Sequence, residues 1–529
     1  MGGCLVTVLV VGAGPTGLLL AAELQRRGVD CLLVDEHERP LEWDRATVVH
    51  PRSLEIFESL GILEPLLDAG VKQRRAQLHS NGAVLGDIDL SLSGSRFPFN
   101  IGISEEVTER LLTDYLGRQG GTVTRATRLV GLEEVEGGVR ATLLRDGAQS
   151  DIVADWVVGC DGYHSTVRTL AGIAEDGHDI AEPWAVFDAT LPDWPQSFEA
   201  NYAYLDRTAV ILTSLPGKRW RVYLRPSSAT SDLAADALAT LSRYLPAVRF
   251  EAIANPRRFQ CHAKVARQYR SGRILLAGDA AHACSPAQGH GMNSGLQDAH
   301  NLAWKLALVC LGQADARLLD SYEAERRPVA ARIVAEGEDA ERVQIVPNDE
   351  DRRARDDAMR TALADPASKH HEAVAEAELD IDYAASPIVM GERADALWPG
   401  QRLPDWIECH AGPDAAGLLH RHADRRGHTA FLIGGTAEAG TQLQEVRRAL
   451  ELPEGGVVEA LMTLAVDPEA SDVDARLPPV IAERLGLDAI TLLVIRPDGH
   501  VGLRATANHA AALAAYAGLV RSGRVSAAP

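Results

Sequence analysis

Residues 5–17 read LVTVLVVGAGPTG, an aliphatic, mostly β-branched run followed at once by three closely spaced glycines. A continuous apolar run of this kind is typical of a parallel strand buried on both faces. Gly12 permits a tight turn, Gly14 lets a pyrophosphate approach the backbone, and Gly17 lets the next helix pack closely. The stretch therefore predicts a dinucleotide-binding βαβ unit whose helix N-terminus offers amide donors to phosphates.

An acidic residue completes this first unit. A helix is expected over 18–27, Gly28 ends it, and residues 31–34 form the second strand. Asp35 follows that strand, where its carboxylate can accept hydrogen bonds from both hydroxyls of a ribose. Glycine spacing alone leaves the nucleotide open between NAD and FAD. The nucleotide contacts predicted in this unit are Gly12, Ala13, Gly14, Pro15, Thr16, Gly17, Asp35 and Glu36.

A second glycine-bearing segment, RILLAGDAAHACSPAQGHGMN, occupies residues 273–293. It again reads as a strand, an acidic turn and a glycine-rich start of a helix. Asp279 is placed to accept a ribityl hydroxyl, and the backbone N–H groups of Gly289, Gly291 and Met292 can face the pyrimidine edge of a flavin. The positive end of the helix would favour a reduced, anionic isoalloxazine. The two segments together predict the two ends of one FAD.

A third segment, GCDGYHSTVR at 159–168, has the form G-x-D-G-x-x-S-x-x-R. With the two glycine segments, and with LDSYEAERRP at 319–328, it resembles the group A flavoprotein aromatic hydroxylases over about residues 5–329. That family includes para-hydroxybenzoate, phenol and aromatic polyketide hydroxylases. The resemblance implies non-covalent FAD and NADPH or NADH as electron donor. It implies further FAD contacts at Arg45, Glu105, Asp161, Gly162, Asp279, Pro286, Gly289, Gly291, Met292 and Asn293, although relatives usually carry glutamine where this chain has Glu105.

The chain has 529 residues, more than one hydrophobic core usually serves, so several domains are expected. The predicted fold class is α/β, with a Rossmann-like FAD-binding domain at 1–181 and 263–395 and a mostly β substrate-binding domain inserted at 182–262. A charged, helix-rich stretch at 320–377 is predicted to be a solvated face. Trp398-Pro399-Gly400 marks the start of a third domain at 396–529. It resembles the thioredoxin-like tail of the phenol and polyketide hydroxylase branches, without the cysteine pair that dithiol chemistry needs.

Composition narrows the function classes. The 53 basic and 74 acidic residues give a net charge of -21, which argues against a nucleic-acid partner because polyanions are bound by basic stripes. No apolar run reaches the roughly 18–20 residues of a membrane-spanning helix. Seven scattered cysteines indicate a reduced, cytoplasmic environment.

His282 and Cys284 lack a second ligand at suitable spacing, so no metal site is predicted. The expected partners are an aromatic small molecule and dioxygen, and the expected assembly is a monomer or homodimer.

The resemblance implies a monooxygenase that hydroxylates a phenolic or polycyclic, polyketide-like aromatic molecule through a flavin hydroperoxide. A phenol reacts faster as phenolate, so a base or hydrogen-bond chain near the ring is expected. His50, Tyr202, Tyr223 and His262 are candidates by position, and the residues do not choose among them. Three alternatives stay open: a Baeyer–Villiger monooxygenase on the same scaffold, a flavin oxidoreductase that does not activate oxygen, and a flavin-carrying protein without turnover.

Overall fold

The computed structural model of the chain describes most of its residues. The described ranges are 5–40, 46–206, 209–285, 289–346, 348–393, 397–404, 419–420, 423, 426–435, 440–467 and 470–523. No helix in these ranges combines the length and the apolar character that crossing a lipid bilayer requires.

The strands of the described ranges form five sheets. In chain order they are β1 (Leu5–Val11), β2 (Cys31–Val34), β3 (Val48–Val49), β4 (Val71–Gln73), β5 (Arg75–Ser80), β6 (Ala83–Asp89), β7 (Asn100–Gly102), β8 (Val123–Thr124), β9 (Thr127–Val135), β10 (Gly138–Arg145), β11 (Ala148–Gly159), β12 (Glu175–Asp179), β13 (Trp184–Thr190), β14 (Ala200–Leu205), β15 (Ala209–Leu215), β16 (Arg219–Leu224), β17 (Glu251–Phe259), β18 (His262–Ala266), β19 (Arg270–Ser271), β20 (Ile274–Leu276), β21 (His282–Ala283), β22 (Met390–Gly391), β23 (His428–Gly434), β24 (Val458–Ala465), β25 (Ala475–Arg476), β26 (Thr491–Ile495) and β27 (Val501–Ala505).

The helices pack on the faces of these sheets and between them. In chain order they are α1 (Pro15–Arg26), α2 (Pro51–Ser59), α3 (Leu63–Ala69), α4 (Glu105–Arg118), α5 (Thr166–Leu170), α6 (Leu233–Leu241), α7 (His290–Cys310), α8 (Asp320–Gln344), α9 (Asp349–Ala364), α10 (Pro366–Glu376), α11 (Gly440–Ala449), α12 (Pro479–Arg484) and α13 (His509–Ser522).

The largest sheet contains the predicted βαβ unit. Its central strands lie in the order β20-β11-β1-β2, all parallel, and the β9–β10 hairpin extends it beside β11. Val11 is opposite both Val34 and Gly159, and Gly159 is opposite Leu276. Because parallel strands end at the same edge of a sheet, the three motifs that follow β1, β11 and β20 meet there. The α/β fold class is confirmed.

Glycine is required at the turn after β1. The φ angle of Gly12 is +101°, and a Cβ atom there would overlap the backbone carbonyl of Cys160. An L-residue would be strained by both the dihedral angle and the overlap. The turn therefore brings the first and third motifs into direct backbone contact.

A seven-stranded sheet faces the edge where the motifs meet. Its order is β17-β13-β16-β15-β14-β5-β6, and all of its pairs are antiparallel except β14–β5. Strands β5 and β6 precede the segment 182–262 in the chain, so this sheet is wider than the predicted substrate-binding domain. The parallel pair that begins with Ala200 opposite Arg75 joins β5 to β14, and β6 follows by pairing with β5. The proposed boundaries therefore describe only the inserted part of this sheet.

The last part of the chain forms a mixed six-stranded sheet, in the order β22-β27-β26-β23-β24-β25. Buried charges attach it to the rest of the protein. The guanidinium of Arg496 donates two hydrogen bonds of 2.7 Å to Glu325 of α8, and Lys305 of α7 donates another of 2.7 Å to the same carboxylate. These side chains are fully buried. Burial alone raises the pKa of Glu325, but Arg496 and Lys305 outweigh it and lower that pKa to about 2.

Replacing Arg496 with alanine leaves Glu325 buried with one cation fewer. Removing one partner of a buried ion pair costs about 3–5 kcal/mol, so we expect Arg496→Ala to lower the free energy of unfolding by about that amount. Urea denaturation followed by circular dichroism measures it. The control is Arg448→Ala on α11, an exposed arginine whose loss should change stability by about 0.5 kcal/mol or less. Equal effects of the two substitutions would contradict this account of the attachment.

Candidate functional site

A cavity of about 890 Å³ lies at the edge where the motifs meet and extends to the seven-stranded sheet and to helices α8–α10. Both glycine segments and the third motif line it. The two segments predicted to hold opposite ends of one dinucleotide therefore face one cavity. The predicted cofactor contacts that line it are Gly12, Ala13, Gly14, Pro15, Thr16, Asp35, Glu36, Glu105, Asp161, Gly162, Asp279, Gly289, Gly291 and Met292.

Two predicted contacts support the cavity wall from behind. A Cβ atom on Gly17 would overlap the carbonyl oxygen of Gly12, so Gly17 lets α1 pack against the turn. Asn293 is fully buried, accepts a hydrogen bond of 3.0 Å from the His50 N–H, and donates one of 2.9 Å to the Gly289 carbonyl. It thereby holds the second glycine loop. Arg45 and Pro286 lie outside the described residues.

The first glycine turn has the features of a phosphate site. Gly14 is the N-cap of α1, and a Cβ placed on it would have its nearest neighbour 3.9 Å away, at Glu109. The backbone there is open to the cavity. Asp35 accepts hydrogen bonds from the N–H groups of Ala13 (2.7 Å) and His37 (2.9 Å), which fix its carboxylate at the rim. The open backbone, the helix N-terminus and this carboxylate fit the pyrophosphate and ribose of a dinucleotide.

The third motif braces the second. Asp161 accepts hydrogen bonds from the Ser165 hydroxyl (2.5 Å) and the Val167 N–H (3.0 Å), and burial raises its pKa. Arg168 donates to the carbonyl oxygens of Ala280 (3.0 Å) and Tyr163 (2.7 Å). The three side chains that the motif singles out, Asp161, Ser165 and Arg168, are therefore engaged in fixing loops of the cavity wall.

A buried carboxylate fixes the turn that presents Asp279. Asp298 accepts hydrogen bonds from the Gly278 N–H (3.0 Å) and from Arg326 Nε (2.7 Å), and its Oδ2 lies 2.6 Å from His282 Nε2. Burial raises the pKa of Asp298, but His282 and Arg326 outweigh it and hold that pKa below its usual value. His282 is thus the partner of a buried carboxylate.

A second buried group lies behind Gly289. The rings of His50 and His290 stack with centroids 5.0 Å apart, and His290 Nδ1 is 2.7 Å from Glu378 Oε1. Ligand-type atoms of these three residues lie within 4.8 Å of one another, as a metal site requires. The other oxygen of Glu378 already accepts a hydrogen bond of 2.6 Å from Gln297. We therefore interpret the group as a hydrogen-bonded ion pair.

Three of the four candidate bases line the cavity, and His50 does not. The hydroxyl of Tyr202 donates to the Ser197 carbonyl (2.8 Å), and burial raises its pKa. His262 Nδ1 is 2.9 Å from Asp179 Oδ1. The hydroxyl of Tyr223 is 2.9 Å from that of Thr47, which also lines the cavity. Tyr223 is the candidate whose hydroxyl meets a second hydroxyl of the cavity lining, so a proton can pass between the two.

The prediction that residues 320–377 form only a solvated face is wrong. The cavity-lining residues from this stretch are Glu336, Asp339, Ala340, Val343, Gln344, Met359, His371, Glu372, Ala375 and Glu376. Among the many charged residues of α8, Ala340, Val343 and Gln344 have i, i+3 and i+4 spacing and therefore share one helix face. This spacing could be recognised in the sequence, but the sequence did not show that the face lines a cavity shared with the seven-stranded sheet.

An open phosphate turn and a braced acidic loop on one cavity are the features of a dinucleotide-binding protein. The sequence model of the FAD binding domain family matches residues 5–337. The chain belongs to this family, and the residues present fit FAD.

Named relatives agree with the resemblance drawn from the three motifs. The chain is 35% identical over 337 residues to pentachlorophenol 4-monooxygenase of Sphingobium chlorophenolicum, covering 62% of this chain and 63% of that protein. The match thus spans less than two thirds of that relative. A 12-dehydrotetracycline 5-monooxygenase/anhydrotetracycline 6-monooxygenase of Streptomyces rimosus is 30% identical over 93% of this chain and 94% of its own. The solved structure of an anhydrotetracycline hydroxylase from Streptomyces rimosus superimposes with a TM-score of 0.74 at 27% identity, covering 99% of this chain and all of that one.

The ion pair behind Gly289 gives a pH dependence with a definite sign. Burial lowers the pKa of His290, but Glu378 outweighs it and raises that pKa above 6.5, while the pKa of Glu378 falls below 4.5. Because folding raises the pKa of His290, the protonated imidazole stabilises the fold fully below about pH 6.5. This stabilisation is lost as pH rises through the pKa that His290 has in the folded protein. The Glu378 contribution is lost as pH falls below 4.5.

We therefore expect the stability difference between the wild type and His290→Gln to be largest at roughly pH 5–6 and to shrink towards pH 9. Thermal denaturation across that range measures it. His371→Gln, an exposed histidine on α10, is the control and should follow the wild-type curve at every pH. A difference that grows with pH would contradict the assignment of charge to this pair.

Proposed function

We propose that the chain is an FAD-dependent monooxygenase that uses NADPH or NADH to hydroxylate a phenolic or polycyclic, polyketide-like aromatic molecule. The observation that carries the proposal is the single cavity lined by both the turn at 12–16 and the segment at 279–292. Membership of the FAD binding domain family supports it, as do the names of the relatives, which are monooxygenases of pentachlorophenol and of 12-dehydrotetracycline and anhydrotetracycline.

The cofactor contacts follow from the wall of the cavity. The open backbone of Gly14 and the N-terminus of α1 take the pyrophosphate, and Asp35 takes the ribose. Asp279 takes a ribityl hydroxyl, and the N–H groups of Gly289–Met292 take the pyrimidine edge. Bound FAD supplies the electrons and the activation of dioxygen, so the protein has to bind, orient and keep water out.

The substrate occupies the far half of the cavity. Leu78, Ile88 and Ile211 of the seven-stranded sheet and Val343 and Met359 of the helices line this cavity. These apolar walls match the faces of an aromatic ring system and exclude water from the reaction. The paired hydroxyls of Tyr223 and Thr47 can hold the proton of a substrate hydroxyl, which makes the ring more electron-rich.

The architecture around this site completes the proposal. The FAD-binding domain spans 1–181 and 263–395 and lends β5 and β6 to the sheet of the substrate-binding insertion at 182–262. Residues 396–529 form a thioredoxin-like domain without dithiol chemistry. We place the protein in the cytoplasm on its scattered cysteines, which are never spaced as a C-x-x-C pair, and expect a monomer or homodimer.

Asp279→Ala tests the cofactor contact. Losing a hydrogen bond to a charged group costs about 1.5–3 kcal/mol, so we expect the Kd for FAD to rise by roughly 10- to 100-fold. Titration of the apoprotein, followed by quenching of flavin fluorescence, measures it. Asp357→Ala, an exposed aspartate on α9, should leave the Kd unchanged. An unaltered FAD affinity in Asp279→Ala would remove this residue from the cofactor site.

The reaction class is tested with labelled dioxygen. The purified flavoprotein should oxidise NADPH or NADH faster when a phenol or polycyclic substrate is present, and one labelled oxygen atom should enter the product as a new hydroxyl group. A lactone or an opened ring would support the Baeyer–Villiger alternative. Product without label would show a flavin oxidoreductase, and the absence of substrate-stimulated oxidation across aromatic substrates would contradict the proposal.

A further inference from the structure

Polar side chains of β4, β7, β14 and α10 form two hydrogen-bonded pairs at and behind the cavity wall. Asn201 Nδ2 donates a hydrogen bond of 2.9 Å to Gln73 Oε1, and Asn100 Nδ2 donates one of 3.0 Å to Glu376 Oε1. Gln73 and Asn100 are opposite each other in the β4–β7 pair. We call these four residues the polar band. Its two ends, Asn201 and Glu376, line the cavity.

Hydrogen-bond acceptors are left over along this wall. The side-chain oxygens of Asn100 and Asn201 have no partner among the described residues. Gln344, which lines the cavity and is 7% exposed, also has an amide oxygen without a partner in the described ranges. Buried acceptors are costly unless a donor reaches them. The wall is therefore suited to a ligand that brings hydrogen-bond donors.

The negative charge of Glu376 on this wall also favours a ligand that brings hydrogen-bond donors. The carboxylate of Glu376 is 20% exposed, and the one basic group of the described residues within 4.0 Å is His50, whose Nδ1 lies 3.9 Å away. Among the described residues, the arginines that line the cavity are Arg39, Arg125 and Arg128, and no lysine does.

One of these arginines, Arg125, contacts the carboxylate that is predicted to take the ribose. Arg125 Nη1 lies 3.4 Å from Asp35, and Arg39 and Arg128 are close to Asp35 and Arg125 in the chain. A carboxylate on the substrate would thus meet the like charge of Glu376 at the polar band, and His290, the charged histidine of the lining, is already paired with Glu378.

We propose that the polar band selects aromatic substrates that carry no carboxylate and that present a donor, preferentially a protonated amine, to Glu376. The inference rests on the proposed function. An ammonium group satisfies the acceptors and neutralises Glu376, a hydroxyl group satisfies the acceptors alone, and a carboxylate does neither.

Three matched phenols test this preference on the FAD-loaded protein. Tyramine, tyrosol and 4-hydroxyphenylacetate share a phenol ring and differ mainly in the group at the end of a short side chain. Binding is read from the change in flavin absorbance during titration. We expect tyramine to bind most tightly, tyrosol less tightly, and 4-hydroxyphenylacetate about tenfold or more weakly than tyramine.

Substitutions assign the preference to the band. Glu376→Gln should remove the advantage of tyramine over tyrosol, whereas Glu350→Gln, the same change at an exposed position of α9, should retain it. Asn201→Asp adds a carboxylate to the other end of the band and should increase the advantage of tyramine. FAD content and thermal midpoint are compared with the wild type, and Asn201→Asp provides the test if Glu376→Gln loses its fold.

Three results would each overturn the inference. The first is that 4-hydroxyphenylacetate binds as tightly as tyramine, and the second is that tyramine does not bind at millimolar concentration. The third is that Glu376→Gln still binds tyramine more tightly than tyrosol. Its failure is distinguishable from failure of the proposed function. A protein that incorporates labelled oxygen but prefers carboxylates refutes only the substrate class, whereas a protein that incorporates no label into any aromatic substrate refutes the monooxygenase itself.

Discussion

Val11 at the end of β1 lies between Val34 of β2 and Gly159 of β11, and Gly159 in turn lies opposite Leu276 of β20. This register of parallel strands is the constraint on which the site depends. It delivers the phosphate turn, the ribose carboxylate, the third motif and the acidic loop to one edge of one sheet, although they are far apart in the chain. The contact of Gly12 with the Cys160 carbonyl leaves no space for a side chain between two of them.

Buried charge then makes the loops at that edge rigid. Asp298, held by His282 and Arg326, fixes the turn of Asp279, and Arg168 ties the third motif to the same turn. These groups are expensive to bury singly and stable only as satisfied networks. A preorganised wall of this kind suits a site that has to align a flavin and a substrate without help from solvent.

The sequence allowed the three motifs to be predicted because glycine turns and buried strands are local features. The phosphate turn, Asp35 and Asp279 could be assigned to one nucleotide from these motifs, and all three line one cavity in the structure. The width of the seven-stranded sheet could not, since β5 joins β14 through a parallel pair between distant segments. The contribution of α10 was also missed: Glu376 reads as a surface glutamate until Asn100, far away in the chain, is seen to donate to it. Such pairings depend on tertiary packing, which local patterns do not encode.

The central claim is that one flavin nucleotide spans the cavity from the first glycine turn to the second. A crystal structure of the protein saturated with FAD tests it most directly. The account predicts one FAD per chain, with its pyrophosphate at the N-terminus of α1 and its isoalloxazine beside Gly289–Met292. A cavity without flavin at saturating FAD, or a flavin that contacts only one of the two glycine segments, would contradict it.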